Sequence, residues 1–194
     1  MFICIEGNIG AGKSTLAKKI ANEFKFDFLP EQFEENSLLP LFYNEPENYS
    51  YLLEFSFLIE RFQQLTKWSK KIKTKHVVSD YNFYKCLCFA KINLSEIEYN
   101  FFEKEFYKLN KLIFHPDLLI KLHLQPDYLI KNINQRNRTA EKNIPESYLR
   151  KINESYDLIY SQTSLNQVSF HLKENSPEEY ERIFSELNVY LQNL

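Results

Sequence analysis

"FICIEGNIGAGKST", residues 2–15, decides the fold. Residues 2–6 are a nearly unbroken apolar run, which suits a strand buried on both faces of a parallel sheet. Residues 7–14 fit the pattern G-x-x-x-x-G-K-[ST], and "STLAKKIANEF" (14–24) carries helical spacing. A strand, a glycine loop and a helix in that order build a phosphate-binding loop. Glycine lets the chain curl and approach an anion with no Cβ in the way. The loop from Gly7 through Asn8, Ile9, Gly10, Ala11 and Gly12 to Lys13, Ser14 and Thr15 is therefore expected to cradle phosphate oxygens. The helix that follows adds the partial positive charge of its N-terminus. Lys13 is expected to bridge the outer phosphates, and Ser14 to ligate Mg²⁺.

All three glycines of the 194-residue chain lie in this loop. A GTPase switch needs D-x-x-G, and a transporter-type ATPase signature needs paired glycines, so neither is present. Small kinases, which combine such a loop with mobile arginines, remain. A formal net charge of −2 argues against bulk binding to nucleic acid or anionic membrane. The cysteines, Cys4, Cys86 and Cys88, lack metal-ligand spacing and read as reduced thiols of a cytoplasmic protein. With no signal-like start, long apolar run, repeat or flexible linker, residues 1–194 are expected to form one domain outside the membrane. The four histidines, His76, His115, His123 and His171, show no triad or metal spacing and read as structural.

Outward from the loop, short apolar runs alternate with helical stretches. Strands are expected at 26–30, 76–80, 118–124 and 168–172, in addition to 2–6. Helices are expected at 46–72, 83–91, 95–113, 126–136 and 145–163, and from Ser176 to about Leu191, where Ser176 and Glu179 have capping-box spacing. The stripe Tyr51, Phe55, Leu58, Phe62, Leu65 gives the longest helix its apolar face. Strands alternating with helices imply an α/β fold with a parallel sheet. A polar, arginine-bearing stretch, 136–144, separates the helices expected at 126–136 and 145–163.

"IEGNIGAGKST" resembles the opening of the deoxynucleoside kinases, and four further matches follow in family order over roughly residues 3 to 160. The resemblance implies a P-loop kinase fold, a five-stranded parallel sheet flanked by helices. It also implies ATP as donor, Mg²⁺ as cofactor and a homodimer. Glu31, just after the second strand in "LPEQFEEN", matches the family's proposed base, with Gln32 where proline is usual. A base of this kind must reach the 5′-hydroxyl it deprotonates. Tyr43, in "SLLPLFY", matches a contact to the sugar 3′-hydroxyl, and Phe89 matches a phenylalanine that stacks on the base. Asp80, in "VVSDY", fits the carboxylate near Mg²⁺ and the 5′-hydroxyl, and could itself be the base. The family arginine that follows it is replaced by Tyr81, so either another cation substitutes, Lys85 lying one turn on, or the active site is a variant. "RNRTAE" (136–141) fits the R-x-R-x-x-E lid. Arg136 and Arg138 would close over the transferring phosphoryl group, with Glu141 at the 3′-hydroxyl.

"LLEFSFLIER" carries the substrate signal. Glu54 stands where the family commonly has a glutamine that pairs with the base, and Arg61 matches a family arginine. Residues seven apart share nearly one helix face, about 10 Å apart along the axis. An ionised carboxylate only accepts hydrogen bonds. Guanine offers two adjacent donors, and its O6 and N7 accept from an arginine. Adenine offers one donor beside an acceptor, so it suits Glu54 only if the carboxyl is protonated. The expected activity is therefore 5′-phosphorylation of a purine deoxynucleoside by Mg-ATP, deoxyguanosine ahead of deoxyadenosine, in nucleotide salvage. A nucleoside monophosphate kinase of the thymidylate kinase type is the enzyme alternative. It usually has an acidic residue where this chain has Ile9, and it needs cations where Glu31, Glu34 and Glu35 cluster. An inactive nucleotide-binding protein is the non-enzyme alternative, supported by Tyr81.

Overall fold

The computed structural model describes residues 1–33, 36–138, 141, 144–173 and 176–192, with only the backbone described for 190–192. Five strands, β1 (Phe2–Gly7), β2 (Asp27–Leu29), β3 (Val77–Ser79), β4 (Leu118–His123) and β5 (Gln167–His171), form one parallel sheet in the order β2-β3-β1-β4-β5. Eight helices are described: α1 (Lys13–Phe24), α2 (Leu38–Asn44), α3 (Pro46–Thr74), α4 (Lys85–Asn93), α5 (Glu96–Asn110), α6 (Pro126–Arg136), α7 (Glu146–Ser161) and α8 (Pro177–Gln192).

β1 is central because all six of its residues are buried. It pairs with β3 from Phe2↔Val77 to Cys4↔Ser79, and with β4 from Ile3↔Leu118 to Gly7↔Leu122. In chain order the sheet grows to one side through β3 and β2 and to the other through β4 and β5. In open parallel sheets the crevice at the carboxyl ends of the strands, where that order reverses, takes the ligand. The loops after β1, β2 and β3 all open there.

α3 runs 29 residues from a proline that fits the first helical turn, a length of about 43 Å. It buries two different faces. Leu58 and Leu65 of the apolar stripe pack into the main core, with Tyr51, Phe55 and Phe62 half-buried beside it. Leu53, Glu54, Phe57 and Arg61, also buried, line the crevice. α2 caps this second face: Phe42, Leu53 and Phe57 form a separate small core with Phe33, Tyr43 and Tyr148 against it. α2 was not expected from the sequence. The other elements match their expected positions, with ends shifted by at most about three residues in either direction.

The three cysteines are buried free thiols, Cys4 on β1 and Cys86 and Cys88 on α4. His123 and His171 stack at 4.6 Å across β4 and β5, and His76 stacks on Phe26. Leu52, Ile59, Ile97 and Phe101 on α3 and α5 leave large apolar side chains exposed. No helix among the described residues is long and apolar enough to cross a membrane.

Candidate active site

The loop after β1 owes its course to two glycines. Gly7 has φ +151, and a Cβ there would lie 2.5 Å from the Leu122 carbonyl oxygen of β4. Gly10 has φ +82, and a Cβ there would lie 2.8 Å from the Leu129 carbonyl oxygen of α6. The backbone is thus wedged between two neighbours that only hydrogen can clear. Asn8 pins the loop from below: its Nδ2 donates to the Leu149 carbonyl and Asn153 Oδ1, both at 2.7 Å, and its Oδ1 accepts from the Ile9 N–H. Asn132 Nδ2 donates to the Gly10 carbonyl at 2.9 Å. Lys13 Nζ folds back on the Asn8 carbonyl at 2.8 Å, in the place an anion's oxygens would compete for. Burial and the nearby Lys85 charge lower the Lys13 ammonium to about 8.

Beneath the loop lies a carboxylate the sequence reasoning passed over. Glu6, fully buried in the apolar run of β1, accepts from the backbone N–H groups of Gly7 and Asn82 and from the Tyr156 hydroxyl. It ties the phosphate loop to the β3–α4 segment that carries Asp80. Burial pushes its carboxyl above the ordinary range. An acidic residue inside an otherwise apolar strand was the available signal.

Asp80 and Glu31 meet at the ends of β3 and β2. Asp80 Oδ1 accepts from the Glu31 N–H at 2.7 Å, and its Oδ2 accepts from the Ser14 hydroxyl. A hydroxyl and a carboxylate side by side suit Mg²⁺, which keeps most of its waters and takes one or two carboxylates plus phosphate oxygens. Ser14 and Asp80 would hold it. Among the described residues no group of three or more His, Cys, Asp or Glu forms a metal cage.

The Glu31 side chain is held by two cations. Arg61 reaches Oε1 with Nη2 at 2.7 Å and Nε at 3.2 Å, and Lys85 Nζ reaches Oε2 at 2.6 Å. Burial pushes the Glu31 carboxyl up, but Lys85, Arg61 and Lys13 outweigh it and hold the group at about 2. Lys85 thus pairs with Glu31, the carboxylate after β2. Tyr81, at the expected arginine position, turns fully inward. Its hydroxyl donates to Gln64 Oε1 at 2.7 Å, and Gln64 Nε2 donates to the Pro30 carbonyl, bracing the residue before Glu31.

A cleft of about 740 Å³ opens above these groups, lined among others by Lys13, Glu31, Tyr43, Glu54, Phe89, Arg136, Arg138 and Glu141. Glu54 lines the same cleft as the phosphate loop. Asn93 Nδ2 donates to its Oε1 at 2.7 Å, while its buried Oε2 has no hydrogen-bond partner among the described residues. Burial raises the Glu54 carboxyl to about 7, against the pull of Asn93, Arg61 and Lys85. Arg61 does not pair with Glu54: it serves Glu31, and its Nη1 lies 3.3 Å from Cys86 Sγ. Its spacing from Glu54 on the helix therefore announced a shared cleft and not a shared partner. Phe89 presents a half-buried ring to the same cleft.

On the other wall, Arg136 closes α6 and pairs with Glu141, while Arg138 Nη1 lies 3.6 Å from Glu141 Oε1 and its guanidinium sits over Phe33. Asn137 between them is left-handed at φ +53, which turns the chain so that both arginines face one carboxylate. Glu141 is buried near Tyr43. Four residues of the expected lid, 139, 140, 142 and 143, lie outside the described residues, as do Glu34 and Glu35 of the acidic cluster.

A parallel sheet that splits at β1, a glycine loop on its carboxyl end and arginines across the cleft define a P-loop kinase fold. A sequence model of the family described as "Deoxynucleoside kinase" matches residues 3–192. The deoxyguanosine kinase of Bacillus subtilis (strain 168) is 34% identical over 163 residues, which span 83% of this chain and 79% of that protein. The deoxyadenosine kinase of Dictyostelium discoideum is 34% identical over 164 residues, 79% of this chain and 64% of that one. Among solved structures, deoxyadenosine kinase from M. mycoides with bound dCTP shares the fold with a TM-score of 0.84 at 23% identity, covering 97% of this chain and all of that one. The chain belongs to the deoxynucleoside kinase family, enzymes that move a phosphoryl group from ATP.

Proposed function

We propose that the protein phosphorylates the 5′-hydroxyl of a purine deoxynucleoside with Mg-ATP, deoxyguanosine ahead of deoxyadenosine, releasing the deoxynucleoside monophosphate and ADP in salvage. Glu54 carries this reading. It places a buried carboxyl, with one oxygen still unpaired, at the base end of the cleft. An acceptor pair there complements the N1–H and 2-amino donors of guanine. Arg61 retains N–H donors beyond those given to Glu31 and Cys86, which suits the O6 edge, and Phe89 supplies an aromatic face.

The remaining residues fall into roles around the sugar and phosphates. Tyr43 and Glu141 receive the 3′-hydroxyl. Glu31 lines the cleft and accepts the 5′-hydroxyl hydrogen bond, while Asp80 and Ser14 hold Mg²⁺, which would supply charge neutralisation on the donor phosphates. A carboxyl held at about 2 is a weak base, but phosphoryl transfer through a loose transition state asks mainly for alignment. Lys85 and Arg61 supply that alignment by fixing both Glu31 oxygens. Arg136 and Arg138 leave Glu141 for the transferring phosphoryl group, where their charge offsets what develops there.

Competition among the four deoxynucleosides with ATP as donor tests the reading. Deoxyguanosine is expected first, and a best substrate of thymidine or deoxycytidine refutes purine selection. Sites built on such polar pairs discriminate by about 10⁴. Deoxynucleoside monophosphates offered as acceptors should give no turnover, which separates this activity from a monophosphate kinase. We also propose a homodimer through the exposed Leu52, Ile59 and Phe101 of α3 and α5, tested by sedimentation. A cytoplasmic location fits three cysteines kept as free thiols.

A further inference from the structure

Three side chains on three helices converge on the base end of the cleft. Tyr148 of α7 donates its hydroxyl to Asn93 Oδ1 at 2.9 Å. That contact turns the Asn93 carboxamide of α4 so that its Nδ2 faces Glu54 of α3 and donates to Oε1 at 2.7 Å. Glu54 Oε2 is buried without a partner among the described residues. With Oε1 committed as an acceptor, a proton on this carboxyl has one place to sit, Oε2.

The two protonation states then present different faces. Ionised Glu54 shows two adjacent acceptors, which match the N1–H and 2-amino donors of guanine. Neutral Glu54 shows an acceptor, Oε1, beside a donor, the Oε2 hydroxyl, which match the 6-amino donor and N1 acceptor of adenine. We infer that Asn93, oriented by Tyr148, makes Glu54 a two-state reader of purines, so that solution pH sets which purine deoxynucleoside the enzyme prefers. This rests on the purine reading above. Asn93 and Tyr148 are positioning residues in it, and Glu54 is the group that touches the base.

The surroundings keep both states accessible. Arg61 from the same helix and Lys85 from α4 favour the ionised form, as does the Asn93 amide. Burial among Tyr43, Tyr148 and Cys86 opposes them and dominates. The balance lies near neutrality.

The test is the ratio of kcat/KM for deoxyguanosine to that for deoxyadenosine, measured with saturating Mg-ATP from about pH 6 to about pH 8, a range in which neither base titrates. Because kcat/KM follows the free enzyme's ionisations, the ratio should climb with pH, approaching about tenfold per unit around the midpoint. Glu54→Gln places a donor beside an acceptor at every pH, so its ratio should be low and flat. Asn93→Ala removes a donor to the charged form and should move the midpoint to higher pH, a shift that general loosening of the site does not produce. A flat ratio in the wild-type enzyme overturns the inference, and so does a slope that survives Glu54→Gln. A clear preference for pyrimidines is a different outcome: it removes the purine reading on which the inference stands.

Discussion

Replacing Glu54 with glutamine should stabilise the protein, and by more as the pH rises. In the folded chain the Glu54 carboxyl is raised from its ordinary 4.5 to about 7, chiefly by burial. Between those values the unfolded chain has released a proton that the native state still holds. Native stability therefore falls as pH climbs from about 4.5 to about 7, and the penalty persists above that. A shift of about 2.5 units at about 1.4 kcal/mol each gives a penalty on the order of 3 kcal/mol. The amide of Glu54→Gln keeps an acceptor for Asn93, fills the same volume and does not titrate. The stability gap between variant and wild type should be near zero at about pH 4 and approach ~3 kcal/mol by about pH 8, or roughly 6–12 °C in Tm for a chain of this size. Urea denaturation of both proteins at the two pH values, compared at equal m, reads the gap directly. Subtracting one protein from the other cancels the opposite contribution of Glu31, whose depressed carboxyl stabilises above its unfolded range. A gap that is the same at both pH values refutes the reasoning, because Glu54 would then carry the same charge in the native and unfolded chains.

Asp80→Asn should lower kcat by about 10²–10⁴ while leaving Tm almost unchanged, since an amide oxygen can still accept from the Glu31 N–H; near-normal turnover would remove Asp80 from the reaction. Arg136→Ala and Arg138→Ala should each reduce kcat about 10²-fold or more, with stability changed by less than about 1 kcal/mol, because their pairs with Glu141 are partly solvent-exposed; an unchanged kcat rules the role out. The Lys13 ammonium at about 8 in the nucleotide-free enzyme should make kcat/KM for ATP fall above about pH 8, and a plateau through about pH 9.5 would contradict that. Gly10→Ala puts a Cβ against the Leu129 carbonyl in a backbone region that favours glycine; it should cost about 1–3 kcal/mol and weaken ATP binding, read by calorimetry and thermal melts.

The sheet and its loop were legible because their signals are local. A six-residue buried strand, a fixed glycine spacing and the start of α1 are contiguous, and each later strand is a short apolar run between polar helices. α2 escaped because seven residues with Pro40 near the start show no usable period. The site was legible as residues but not as partners. Helix spacing could say that Glu54 and Arg61 face one cleft. It could not say that Arg61 belongs to Glu31, thirty positions away, or that Asn93 and Tyr148 govern Glu54 from α4 and α7. Such pairings depend on how helices cross, which no local pattern encodes. Glu6 was missed for the same reason: its partners, Asn82 and Tyr156, come from distant parts of the chain.

The buried cysteines give the protein an internal clock. Burial raises all three thiols above their ordinary range, most strongly Cys4 and Cys88, and only the thiolate reacts with alkylating reagents. In the native state these sulfurs are both hidden and protonated, so labelling must wait for the structure to open. Cys4 lies in the central strand, whereas Cys86 and Cys88 lie on α4, the helix whose Lys85, Phe89 and Asn93 line the cleft. Alkylation followed by mass spectrometry can therefore time two events separately in the unmodified sequence. One is release of α4 from the wall of the cleft, and the other is global unfolding of the sheet.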